Sequence, residues 1–184
     1  MIATAPLALR NRLAETIIRA LRDPAARHEL AALAEHGAAH AGWLDDDERR
    51  WAPLLEARAR AAAAALSEQP LARGETDLGE ALAAAAALFD AGLYFEVHEV
   101  LEPHWVRARD ETRDTLQGII QAAVGWQHLA NGNVAGARSL LEEGAARLHG
   151  RRLGDTDFDA LARAAAEAAA RLPAVADAPR FPRG

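Results

Sequence analysis

The chain has 184 residues, 51% of them hydrophobic, with 21 arginines, no lysine and no cysteine, and 27 acidic residues that leave a net charge of −6. This bounds it to one globular domain or a domain with an appendage, and it excludes disulfides, thiolate nucleophiles, zinc–cysteine sites and Schiff-base lysine chemistry. The mild acidity argues against a dedicated nucleic-acid binder. No uncharged apolar run is long enough to span a membrane, and arginines run through the N-terminal apolar stretch rather than preceding it as in a secretory signal. The expectation is a cytoplasmic protein without nucleic-acid or membrane partners.

Alanine accounts for 48 residues, and alanine is the best helix former and a poor strand residue. The spacing predicts a first helix over Leu7–Arg22, with Leu9, Leu13, Ile17 and Leu21 four apart, and Asp23-Pro24 opens a second one to about Glu35. A third follows from Asp45–Asp47 to about Ser67; Pro53 inside it means either separate first turns or a kink. Residues 67–77 read as a polar linker. Beyond it come helices ending at Asp90, over Tyr94–Arg109, Thr112–Ala130, Val134–His149 and Thr156–Leu172, with Asn131-Gly132-Asn133 a strong stop and restart. Nothing alternates at period two for long enough to be a strand. The fold class is therefore all-α, a single bundle of about eight helices with no sheet. Residues 1–75 would form an N-terminal helical extension packing on a core at 76–172, and the proline-rich 173–184 would be a loose tail.

The chemistry-bearing residues concentrate between 89 and 137. On a helical wheel begun at Tyr94, the residues Tyr94, His98, Leu101, Glu102 and Trp105 share an arc of about 100°, Val97, Val100 and His104 extend it on the other side, and Glu96, Glu99, Pro103 and Arg107 fall opposite, toward water. In the next helix Gln117, Gln121, Val124 and His128 form one stripe, and Gly118, Ala122 and Gly125 form another that lets a neighbour approach closely. A short turn would set the two polar stripes against one another.

The run F-D-A-G-L-Y-F-E-V-H-E-V-L-E-P-H-W from Phe89 to Trp105, L-Q-G-I-I-Q-A from Leu116, His128, and G-N-V-A-G-A from Gly132 resemble the small all-helical bacterial and archaeal proteins classed as domain of unknown function 309. The resemblance covers about Phe89–Leu148. It implies a helical bundle with a shared site at Tyr94, His98, Glu99, Glu102, Trp105, Gln117, Gln121 and His128, and it implies no activity. Pro103-His104 departs from the family pattern and would kink the helix or supply another ligand.

Three readings of these residues stand. The string His98-Glu99-Val100-Leu101-Glu102 is one residue from H-E-x-x-H, so His98, Glu102 and His128 could hold a divalent metal with Glu99 as general base. Alternatively Tyr94, Trp105, Gln117, Gln121 and His128 line a pocket for a small polar ligand, where His98, Glu99 and Glu102 could do acid–base catalysis. In the third reading the same groups are a buried hydrogen-bond network that fixes packing in a non-catalytic interaction or scaffold protein. The small-residue turn after Gly132 resembles tetratricopeptide packing, but no 34-residue repeat is visible. The pair His36 and His40 reads as chance. Surplus alanine faces at Ala81–Leu88 and Ala162–Ala170 suggest a homodimer.

Overall fold

The computed structural model describes residues 5–37, 42–74, 76–174 and 177–184. They fall into two compact units, residues up to Asp77 and residues from Leu78 onward.

The first unit contains α1 (Leu7–Ala20), α2 (Pro24–His36), a 3₁₀ turn (Asp46–Trp51) and α3 (Ala52–Leu66). The four-residue ladder of α1 buries Leu9, Leu13, Ile17 and Leu21, and Asp23 caps α2 by accepting the Ala25 N–H at 2.9 Å. Of the two outcomes Pro53 allowed, the structure takes separate first turns: the 3₁₀ turn ends at Trp51 and α3 begins with proline in its first turn, where the missing N–H costs nothing. Part of the 67–77 segment is tied to this unit, since the Ala72 N–H donates to the Leu21 carbonyl (2.8 Å) and Arg27 donates to the carbonyl of Gln69 (2.7 Å).

The second unit is built from α4 (Leu78–Asp90), α5 (Tyr94–Arg107), α6 (Asp110–Ala130), α7 (Val134–Leu148) and α8 (Asp159–Arg171), each packed on the next in chain order. The class is all-helical, with eight α-helices among the described residues, but the expectation of no sheet is corrected. Strands β1 (Arg152–Leu153) and β2 (Thr156–Asp157) pair antiparallel between α7 and α8. Two residues per strand leave no alternation to read; the turn is held by Arg152 on Asp157 (3.1 Å) and by Gly154 at φ 56°.

The small stripe of α6 does what its composition predicts. A Cβ on Gly144 of α7 would lie 2.9 Å from the Ala122 backbone nitrogen and 3.0 Å from the Gly118 carbonyl, and one on Gly125 would lie 2.8 Å from Leu141. The two helix backbones are thus in contact at Gly144, where a larger residue would meet backbone atoms that cannot turn aside.

The last residues are not loose where they are described. Phe181 is 3% exposed and packs edge-on against Phe89 and Phe158 at centroid distances of 5.5 and 6.0 Å. Its N–H donates to Asp90 Oδ1 (2.7 Å), and Arg183 donates to Asp90 Oδ2 (2.7 Å). Three prolines in the segment prevent helix, but one aromatic and one buried carboxylate suffice to dock it. No helix among the described residues is long and apolar enough to cross a membrane.

Candidate functional site

The buried face of α5 is centred on the side where Val97, Val100 and His104 extend the expected arc. The helix runs without interruption through Pro103, and its buried residues are Glu96, Val97, Val100, Leu101 and His104. Glu96, placed toward water by the wheel, is only 1% exposed. The expected arc was centred on Tyr94 and Trp105, whose amphipathic rings cover the flank of the helix rather than its centre. His98 and Glu99 are therefore half-buried and Glu102 is exposed.

The predicted network between α5 and α6 does not assemble, and its members have other partners. His98 Nδ1 lies 2.9 Å from Glu99 Oε1. Gln121 is buried and its amide donates to Glu143 Oε2 on α7 (2.7 Å), while Ser139 donates to the other oxygen of Glu143 (3.0 Å). His128 Nδ1 lies 2.6 Å from Asn133 Nδ2. The Asn133 Oδ1 accepts the Gly136 N–H at 3.0 Å, so its NH₂ faces the ring, which must accept at Nδ1 and carry its proton on Nε2. His128 thus buttresses the N-cap of α7. A Cβ on Gly136 would sit 2.6 Å from Asn133 Nδ2 and 2.8 Å from His128 Nδ1, so a larger residue there would displace these two side chains.

His98, Glu99 and Glu102 do come together: one ligand atom from each lies within 4.8 Å of the others. His128 is not part of this group. Tyr94 lies apart from it, edge-on to Phe89 at 5.1 Å, and its phenol is raised above the ordinary 10.0 by burial first, then by the negative charges of Asp177 and Asp90. His36 stands at the end of α2, 3.9 Å from Glu35, and His40 lies outside the described residues.

Trp105 and Gln117 are brought together in a different place. With Asp110, Arg113 and Asp114 of α6 and Arg147 of α7 they line a cleft of about 340 Å³. Arg113 stacks over the Trp105 ring at 4.1 Å and donates to the Trp105 carbonyl at 2.9 Å. The Trp105 indole N–H is buried without an acceptor. On the far wall Arg147 pairs with Asp114, which also receives Arg151 at 3.2 Å. Asp110 opens α6 at φ 47°, a strained conformation for a residue with a Cβ. Sequence reasoning missed the charged half of this cleft. The signal was the run Arg109-Asp110-Glu111-Thr112-Arg113-Asp114, whose Arg113 stands one turn before Gln117.

The fold and cleft define an all-helical bundle with a small polar recess where α5, α6 and α7 meet. Residues 82–140 match the model of the family described as "Domain of unknown function (DUF309)". The resemblance read from the sequence therefore holds over α5, α6 and the first half of α7. No curated protein and no solved structure matches the chain significantly.

Proposed function

We propose that the second unit binds a small polar molecule in the cleft between Trp105, Arg113 and Gln117. The observation that carries this reading is the polar cleft lined by Trp105, Arg113 and Gln117, with Arg113 stacked on the Trp105 ring at 4.1 Å. Arg113 is held in place by the ring it covers, and its guanidinium and the Gln117 amide both offer N–H groups. These groups favour a ligand with carboxylate or carbonyl oxygens, and Asp110 would meet a donor at its other end. The volume lies near the lower bound of ligand sites, so the molecule is small. A panel of small carboxylates and amides tested by ligand-observed NMR should give at least one binder that raises the melting temperature. Arg113→Ala and Gln117→Ala should each abolish that shift. Binding unchanged in both variants would refute the assignment.

A second reading has its own observation, the convergence of His98, Glu99 and Glu102. One imidazole and two carboxylates on successive turns of α5 suit a divalent transition metal with its remaining positions filled by water. Titration calorimetry with manganese or zinc should show one site per chain, weakened at least tenfold by Glu102→Gln. Equal heat from that variant would dismiss the site.

A further inference from the structure

Helices α7 and α8 leave a trough of about 470 Å³ between them. Its walls are mostly alanine, with Ala146, Ala166 and Ala170 exposed, and Glu142, Arg163 and His149, the last 3.4 Å from Asp159, are its polar members. The alanine face expected at Ala81–Leu88 offers no such surface: Ala81 and Ala84 through Leu88 are buried. On α8, by contrast, Ala162, Ala165, Ala168 and Ala169 are buried while Ala166 and Ala170, one turn apart, remain outside.

We infer that this trough is the contact with a second copy of the chain, related by a twofold axis. Three features select that occupant over a small ligand. The trough is open, and five of its eight lining residues are alanine. Its width and lack of bulk suit the close approach of another helix, and the exposed Ala166–Ala170 ridge of α8 is itself the shape that an i, i+4 groove accepts. The surface is also complementary to itself in charge. Glu142 and Arg163 are exposed and of opposite charge on the same trough, and a twofold operation can set each Glu142 against Arg163 of the second copy, giving two pairs per interface. The inference is independent of the Trp105 cleft: a monomer that still binds a small carboxylate would remove the dimer and leave the cleft.

Light scattering coupled to size exclusion tests it. The wild type should elute at twice the 19.6 kDa chain mass. Glu142→Arg and Arg163→Glu should each be monomeric, because each places like charges in both pairs. Mixed in equal amounts, the two variants should form a dimer, since every Glu or Arg then faces its opposite. That recovery also shows that both variants are folded, with circular dichroism as a second check. A wild type at 19.6 kDa, a dimer indifferent to either reversal, or monomeric variants that stay monomeric on mixing would each overturn the inference.

Discussion

Replacing Gly144 by alanine probes a close backbone contact between α6 and α7. In an isolated helix the change would stabilise by about 1 kcal/mol, because alanine has less backbone entropy to lose. Here the new methyl would stand 2.9 Å from a backbone nitrogen and 3.0 Å from a carbonyl oxygen of α6. Backbone cannot rotate away, so α7 must shift as a body, and overpacking of this kind costs about 1–3 kcal/mol or more. The net loss should be about 1–2 kcal/mol, a fall of roughly 5–15 °C in the melting of the unit that begins at Leu78. Gly125→Ala provides the comparison. Its methyl would meet chiefly the branch of Leu141 at 2.8 Å, and a side chain can turn, so the net effect should stay within about 1 kcal/mol. Calorimetric melts of the two variants beside wild type decide the point. The reasoning fails if Gly144→Ala melts at or above wild type, or if Gly125→Ala is the more damaging change.

Tyr94 is the sole tyrosine, so phenolate absorbance reports it alone, and its midpoint should lie above 10.0 and move down in Asp177→Asn. Because its folded pKa is raised, the stability it contributes is fully present below pH 10 and is lost as the pH climbs through the folded value; an alkaline denaturation series that is steeper in Tyr94→Phe would contradict this. Asn133→Ala removes the acceptor of the Gly136 N–H and should cost about 1 kcal/mol in urea unfolding. His98→Ala and Glu102→Gln should change stability by less than about 0.5 kcal/mol, since neither residue holds a buried partner; a loss of several times that would restore the structural network. Asp90→Ala should speed tryptic cleavage after Arg180, and an unchanged rate would mean that Asp90 does not anchor the segment.

The helices were legible because their signals are local. Alanine content, the Asp23-Pro24 and Asn133 caps and the glycine stops each act within a few residues. The glycine stripe of α6 was legible too, since missing side chains have one dominant use between helices. What the sequence hid depends on partners far along the chain. The wheel of α5 fixes which residues are neighbours, but its phase against the core depends on Glu96 being acceptable inside, and hydropathy assigns that residue to water. Gln121 was recognised as a polar group needing a partner, yet that partner, Glu143, is on α7 rather than α5. Trp105 and Gln117, both read as ligand-binding candidates, line one cleft, while Arg113, which lines it too, looked like one more charge at a helix start.

The docking of Phe181 and Arg183 on Asp90 has a consequence for synthesis. The two hydrogen bonds join positions 91 and 93 residues apart, so Asp90 leaves the ribosome long before the groups that neutralise and cover it exist. During that interval the Phe89 and Phe158 rings lack the aromatic that finally closes over them, and the nascent chain carries an acceptor without its donors. Helices α4 to α8 can form as they emerge, but the sealing of this corner waits for residue 183. Until Phe181 and Arg183 have been made, the helices can stand but the corner at Asp90 is unsealed.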